Sequence, residues 1–323
     1  MNTCIAIGEL LIDFIPLEKN RALKDVETFS RAAGGAPANV CACVAKLGAP
    51  SIMLTKVGED EFGTYAIEML KNANVDTSYI KRTKEANTAL AFVSLKANGE
   101  RSFSFYRNPS ADLLYNENDI DNNIFKQGNV LHFGSVDLID SPMKKAHEKA
   151  IEIAKKEQMI ITFDPNLRFP LWPDKELYHK TIQKFLPEAH ILKISTDELT
   201  FITGIEDREQ AIKSLFKGNT KIILLTDGSI GSNIYTRDKH IFVPSERVEV
   251  QDSTGAGDAF IGAFIYQILK NNLSIDTLNF LVDEKYLLFA NKVSAYVVQH
   301  KGFIPILPTY KDLLSFYGKN NII

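Results

Sequence analysis

The feature that most restricts how this chain can fold is a repeated alternation of short apolar runs with segments of helical period. Runs rich in β-formers at residues 4–7, 51–57, 130–133, 160–163, 191–194 and 221–226 alternate with helix-period stretches at 37–47, 61–71, 142–156, 178–185 and 208–216. Strands that are apolar throughout need cover on both faces, so the pattern predicts an α/β fold with a central, mostly parallel sheet flanked by helices. Near the carboxyl end the rhythm changes. Residues 256–269 and 285–298 are two long apolar-periodic helices, separated by the Asn271-Asn272 break, and are expected to close one side of the sheet. With 323 residues and no linker, low-complexity tract or internal repeat, the chain reads as one domain over 1–323.

One stretch departs from this rhythm. Ala89–Leu95 and Arg101–Tyr106 alternate in polarity and are joined across Asn98-Gly99, a strong turn dipeptide. The alternation predicts a hairpin with one face on the body or on a ligand, either a lid or an edge hairpin of the main sheet.

Several partner classes are disfavoured. A net charge of −3 supplies no basic footprint for nucleic acid. No window approaches the roughly 20 apolar residues of a membrane span, and the apolar amino-terminal run is cut by Glu9 and Asp13, so a cytoplasmic protein is expected. Cys4, Cys41 and Cys43 show neither disulfide nor structural-zinc spacing.

The most informative segment is Gln251-Asp-Ser-Thr-Gly-Ala-Gly-Asp-Ala-Phe260, which opens an amphipathic helix near Ala256. Glycines allow close backbone approach, and the first amides of a helix lack intrahelical acceptors, so Gly255, Ala256 and Gly257 can form an anion hole. Asp258 in the first turn sets a carboxylate beside it, able to accept a proton from an attacking hydroxyl. A lone turn of this kind can equally be structural, with Asp258 serving only the helix dipole.

The segment Asp252-Ser-Thr-Gly-Ala-Gly-Asp258 resembles the second signature of the ribokinase-type (PfkB) carbohydrate kinases, and Ala33-Gly-Gly-Ala-Pro-Ala-Asn39 resembles the first. The resemblance implies a ribokinase-like fold with a small β lid over about 12–33 and 87–110, ATP and Mg2+ as cofactors, and a sugar as acceptor. It implies that Asp258 is the base, that Gly255, Ala256 and Gly257 cradle phosphate, and that Asp13, Gly34, Gly35 and Asn39 hold the sugar. Lys193-Ile-Ser-Thr-Asp-Glu198 is similar to the family's N-x-x-E segment, with Ser195 where Asn is common. Glu198 would serve magnesium through water, and Lys193 the nucleotide. Thr226-Asp-Gly-Ser-Ile-Gly231 resembles the turn beneath the nucleotide, which assigns Thr226, Gly228 and Gly231. Asn291 falls where the family contacts adenine, and Asp252 with Thr254 matches positions that bind potassium in many relatives, or else caps a local turn.

Residues 98–112 and 163–173 resemble fructokinase segments of that family. Arg107 and Arg168 are expected to bind substrate oxygens, with structural pairs to Asp112 and Asp164 as the alternatives. The expected activity is therefore ATP-dependent phosphorylation of fructose at its 6-hydroxyl. 2-Keto-3-deoxygluconate or ribose as acceptor, or a catalytically silent sugar-binding scaffold, are the alternatives. A dinucleotide oxidoreductase is disfavoured because Gly8-Glu-Leu-Leu stands where G-x-G-x-x-G would be needed. The exposed lid face allows a homodimer through the lid.

Overall fold

The computed structural model describes residues 2–18, 21–95 and 101–318. The Asn98-Gly99 turn and the side chain of Phe103 lie outside the described residues. In chain order the strands are β1 (Thr3–Ile7), β2 (Leu11–Pro16), β3 (Phe29–Gly34), β4 (Ser51–Leu54), β5 (Lys56–Gly58), β6 (Lys81–Thr83), β7 (Ala89–Leu95), β8 (Arg101–Tyr106), β9 (Gly128–Gly134), β10 (Ile160–Asp164), β11 (Ile191–Ser195), β12 (Ile222–Thr226), β13 (Gly231–Tyr235) and β14 (His240–Pro244). The helices are α1 (Ala36–Leu47), α2 (Glu61–Asn72), α3 (Pro142–Lys156), α4 (Lys175–Phe185), α5 (Thr196–Thr203), α6 (Arg208–Ser214), α7 (Ala256–Lys270), α8 (Glu284–Val298) and α9 (Tyr310–Tyr317).

The main sheet runs β14-β13-β12-β11-β10-β9-β1-β4. Its pairs from β4 to β12 are parallel, and β13 and β14 add an antiparallel edge that the apolar runs did not announce. The run expected as one strand over 51–57 is broken. At Thr55 the chain leaves the main sheet, where its carbonyl accepts from Lys81 N, and β5 pairs with β6 instead.

Alternation along the strands divides two cores. Cys4 and Ala6 of β1 face a core shared with α1, α7 and α8, whereas Ile5 and Ile7 face one shared with α3 and α4. Helix α7 is buried nearly all round rather than amphipathic, with twelve of its fifteen residues buried between α1, α8 and the sheet. Gly262 permits this packing, because a Cβ there would stand 2.7 Å from Cβ of Cys43 on α1. That close approach carries the start of α1 to the start of α7.

A second sheet, β3-β2-β7-β8, stands over the carboxyl edge of the first. It is built from β2 and β3, in the segment expected over about 12–33, and from the hairpin β7–β8, in the segment expected over about 87–110. Its β2–β7 pair is parallel and the other two are antiparallel. No helix among the described residues is long and apolar enough to cross a membrane.

Candidate active site

A cavity of about 600 Å³ lies between the inner face of the four-stranded sheet and the carboxyl edge of the main sheet. The sheet contributes Asp13, Val93 and Phe105; the body contributes Asn39, Asn166, Arg168 and Asp258.

Helix α1 starts at Gly35, whose φ of 108° no L side chain adopts easily, and Pro37 sits in the first turn, where its missing N–H costs nothing. A side chain at Gly35 would collide with the Glu9 carbonyl, and one at Gly34 with the Asp13 carboxylate. This local geometry directs Asn39 inward from α1. Its Nδ2 donates to Asp258 Oδ2 at 2.8 Å, across 219 residues of chain. The carboxylate on the other side fixes the amide's orientation, since an oxygen facing it would be repelled.

Helix α7 starts at Gly255, with φ 74°. The amides of Gly257 and Asp258 have no backbone acceptor among the described residues, while Ala256 N makes only a long contact of 3.4 Å to Ser253 O. Asp258 lies in this first turn and its second oxygen, Oδ1, accepts from Asn166 Nδ2 at 3.3 Å. Burial raises the Asp258 pKa, and the Asn39 hydrogen bond and the charges of Arg168 and Lys193 oppose that rise.

Behind the turn lies a buried lysine among three carboxylates. Lys193 Nζ pairs with Asp164 at 3.0 Å, and a Cβ at Gly257 would stand 2.8 Å from that ammonium. Burial pulls the Lys193 pKa down, but Asp164, Glu198 and Asp258 outweigh it and keep the group charged. Burial pushes Asp164 up to about 7 despite Lys193. Apart from that ion pair, the Asp164 oxygens are buried without a hydrogen-bond donor. Glu198 caps its own helix by accepting from Ser195 N and Oγ at 2.9 Å, and also accepts from Leu167 N at 2.6 Å. Its capping role and a cation-binding role are compatible, since a carboxylate has about four acceptor sites.

The expected residues divide into groups. Asp13, Gly35, Asn39, Arg168, Asp252, Thr254, Gly255 and Asp258 share the cavity wall. Arg168 donates from Nη1 to Leu167 O at 3.1 Å, and Asp164, its expected alternative partner, is paired with Lys193. Thr226 ends β12, and Gly228 follows with φ 56° and open space where a Cβ would stand. Gly231 instead packs against the Val243 carbonyl, which is a structural use of the glycine. Asp252 Oδ1 accepts from Thr254 N at 2.9 Å and Oγ1 at 2.7 Å, so one oxygen of this carboxylate caps the local turn.

Two assignments are corrected. Arg107 is not a cavity residue: its side chain is 5% exposed and its guanidinium is bonded to both Asp112 and Asp137, because the root of β8 is covered by the segment after β9. Asn291 does not face an open nucleotide surface. Its amide is buried, accepting from Ser232 Oγ at 2.8 Å and donating to Val243 O at 3.2 Å, and so ties α8 to β13 and β14.

Sequence reasoning missed Glu9, Asn166 and Lys301 on the cavity wall. Glu9 Oε1 accepts from Ala36 N at 2.8 Å, and burial and the Asp137 charge raise its pKa to about 8. The one local signal for Asn166 is its place between a proline and Leu-Arg at a strand end, which is turn chemistry and names no partner.

A family model described as "pfkB family carbohydrate kinase" matches residues 1–310. The chain is 41% identical over 316 residues to fructokinase-1 of Zea mays, spanning 98% of this chain and 97% of that protein. The crystal structure of a fructokinase with bound ATP from Xylella fastidiosa superposes with a TM-score of 0.90 at 34% identity, covering 98% of both chains. A fructokinase double mutant from Vibrio cholerae, solved with fructose, ADP and a potassium ion, superposes with a TM-score of 0.87 at 29% identity, again over 98% of both.

Proposed function

Because this chain belongs to the pfkB family of carbohydrate kinases and has its ribokinase-like fold, we propose that it is an ATP-dependent fructokinase that phosphorylates the 6-hydroxyl of D-fructose. The observation that carries this reading is the Asn39–Asp258 hydrogen bond, through which the glycine-glycine turn and the anion-hole turn share one carboxylate.

Asp258 accepts the proton of the attacking hydroxyl. A carboxylate is a weak base, which suits a loose transition state in which the hydroxyl proton leaves late. The Gly255, Ala256 and Gly257 amides, with the Lys193 ammonium beside them, stabilise charge on the transferring phosphoryl group. Asp13, Gly34, Gly35, Asn39 and Arg168 hold the sugar. Asn39 Oδ1 is buried without a hydrogen-bond donor, which leaves an acceptor for a sugar hydroxyl. The four-stranded sheet acts as a lid that excludes water, which would otherwise compete for the phosphoryl group.

Thr226 and Gly228 lie on the nucleotide side, where the open space at Gly228 permits close approach. Among the described residues no group of three or more His, Cys, Asp or Glu side chains could enclose a metal. Mg2+ commonly binds through one or two carboxylates, waters and substrate phosphates, and Glu198 and the donor-poor Asp164 oxygens are the residues to receive its waters. When bound, Mg2+ would neutralise phosphate charge. Asp252 and Thr254 would contribute to a potassium site beside the anion hole.

Arg107 is taken by Asp112 and Asp137 and so is not offered to the carboxylate of 2-keto-3-deoxygluconate, whereas Arg31, Arg168 and Lys301 remain on the cavity wall. The lid face turned from the cavity carries Phe14 stacked on Phe92 at 4.7 Å, with Phe29 and Tyr106 edge-on to Phe92, and Phe14 packs edge-on against Phe62 of α2, which covers that part of the face. Tyr106 is 64% exposed. The exposed Tyr106 end of this face supports a homodimer formed lid to lid, which a solution mass of twice 36.2 kDa would verify.

The test is ATP turnover by the purified protein with fructose, 2-keto-3-deoxygluconate, ribose and adenosine in parallel, with Asp258→Ala alongside. Fructose is expected to be preferred, and the variant to lose a factor of about 10²–10⁴. Preference for another acceptor, or near-normal turnover by the variant, refutes the assignment.

A further inference from the structure

The segment that leaves β10 has more anchors than a connecting loop requires. Asp164 pairs with Lys193 at 3.0 Å. Pro165 O accepts from Ser135 N at 3.3 Å and also from the Ser135 hydroxyl. Leu167 N donates to Glu198 Oε1 at 2.6 Å, and Arg168 N donates to Tyr178 OH at 3.1 Å. Tyr178 is fully buried and stacked on Trp172 at 4.2 Å, so the anchor is itself fixed. Between these ties Asn166 takes a φ of 45°, a left-handed conformation that asparagine tolerates but does not prefer. The segment therefore holds one residue in an uncommon backbone state, and that residue's side chain reaches Asp258 Oδ1.

The two oxygens of Asp258 are held unequally. Asn39 approaches Oδ2 at 2.8 Å, whereas Asn166 approaches Oδ1 at 3.3 Å. A short hydrogen bond to a carboxylate oxygen stabilises charge there and lowers its basicity; a long one does so less. Oδ1 is thus the more basic oxygen. Rotation about the Cβ–Cγ bond carries both oxygens together, and the two amides, Asn39 on Oδ2 from α1 and Asn166 on Oδ1 from across the cavity, restrain it from opposite sides.

We propose that Asn166 is a positioning residue for phosphoryl transfer: its amide, held by the strap of residues 164–168, aims Asp258 Oδ1 at the acceptor hydroxyl and makes that oxygen the one that takes the proton. The proton passes from the acceptor hydroxyl to Oδ1 as the acceptor oxygen bonds to the γ-phosphorus and the bond to the ADP oxygen breaks. The same strap bonds to Glu198 through Leu167 N, so the base and the Glu198 side of the site are set by one rigid element. The proposal rests on Asp258 being the base.

The test compares Asn166→Gly with the unaltered enzyme, since glycine accepts a φ of 45° without strain and removes only the amide. Steady-state turnover with fructose and ATP should show kcat lowered about 10-fold with both KM values within about 2-fold, because an aiming defect is felt in the transition state more than in binding. The acid limb of kcat/KM should move to higher pH, because a donor to the ionised carboxylate has been lost. Asn166→Ala should lose the same activity and also melt lower, as alanine is strained at that φ. Unchanged kcat in a folded Asn166→Gly enzyme overturns the proposal. So does a loss carried by KM, which would make Asn166 a substrate contact, or a loss with an unmoved acid limb, which would show that it does not act through Asp258. Asp258→Ala is measured in parallel: if it retains turnover the base assignment has failed, and the positioning role falls with it.

Discussion

Replacing Gly257 with alanine should separate catalysis from stability. Gly257 is in the first turn of α7, and a methyl there would stand 2.8 Å from the Lys193 ammonium. To reach ordinary contact the ammonium must withdraw by roughly 0.7 Å. It is held by Asp164 at 3.0 Å in a pair whose side chains are 7% and 3% exposed. Drawing the charges apart by that amount at an effective dielectric of about 20 costs about 1 kcal/mol. Alanine is better than glycine in a helix interior by about 1 kcal/mol and by less in the first turn, where Gly257 lies, so this cost is offset in part. For a chain of 323 residues 1 kcal/mol moves Tm by roughly 1–2 °C, so the melting temperature should stay within about 3 °C of the unaltered protein.

Catalysis has no such offset. The ammonium has moved and the methyl narrows the turn that receives the phosphoryl group. A loss of roughly 1.5–3 kcal/mol of transition-state stabilisation corresponds to about 10- to 100-fold in kcat. ADP release with fructose as acceptor, measured on the same sample as thermal unfolding, gives both quantities. Unchanged kcat would remove Lys193 from the phosphoryl site. A Tm loss beyond about 8 °C would show that the Lys193–Asp164 pair cannot yield as reasoned.

Gly255→Ala should behave differently, because its φ of 74° is strained for alanine and its Cβ would strike the ring of Phe303, which is 3% exposed and has no room to turn. A loss of at least about 2 kcal/mol is expected by thermal or urea unfolding, and an unaltered midpoint would contradict the packing of Phe303 beneath the turn. The Glu9 pKa is raised from 4.5 to about 8, so the folded protein retains a proton that the unfolded chain releases over that interval. Its contribution to stability is full below about pH 4.5 and is lost as pH rises through about 8. Glu9→Gln keeps an acceptor for Ala36 N and removes this linkage. Its Tm should therefore fall less between about pH 5 and 8 than that of the unaltered protein, and parallel curves would refute the shift. Chelation of divalent cations should abolish turnover and excess Mg2+ should restore it, whereas turnover that survives chelation would exclude a role for Glu198 in cation binding.

Much of the fold was legible because its determinants are local. Apolar runs and helical periods located the parallel strands and their covering helices, since side-chain periodicity follows directly from backbone geometry. The β13–β14 edge was less visible because an edge strand is covered unequally and carries no continuous apolar run: β14 alternates between exposed, half-buried and buried positions. The break at Thr55 was hidden within an apolar run, as only a competing partner, β6, draws the chain away.

The same division holds in the site. The two glycine turns were readable from sequence because positive φ, helix starts and free amides are properties of a few consecutive residues; Asp112, five residues from Arg107, was visible only as the alternative to a substrate role for that arginine. What tertiary structure alone decided is who meets whom across the fold. It joined Asn39 to Asp258, added Asp137 to the Arg107 pair, turned Asn291 into a buried tie, brought Asn166 to the base, and placed Lys193 beneath Gly257. These outcomes depend on how closely α1 packs on α7 and on which strand ends face one another. Together with the burial that raises Glu9, Asp164 and Asp258, they are set by atoms distant in sequence, which spacing along the chain cannot encode.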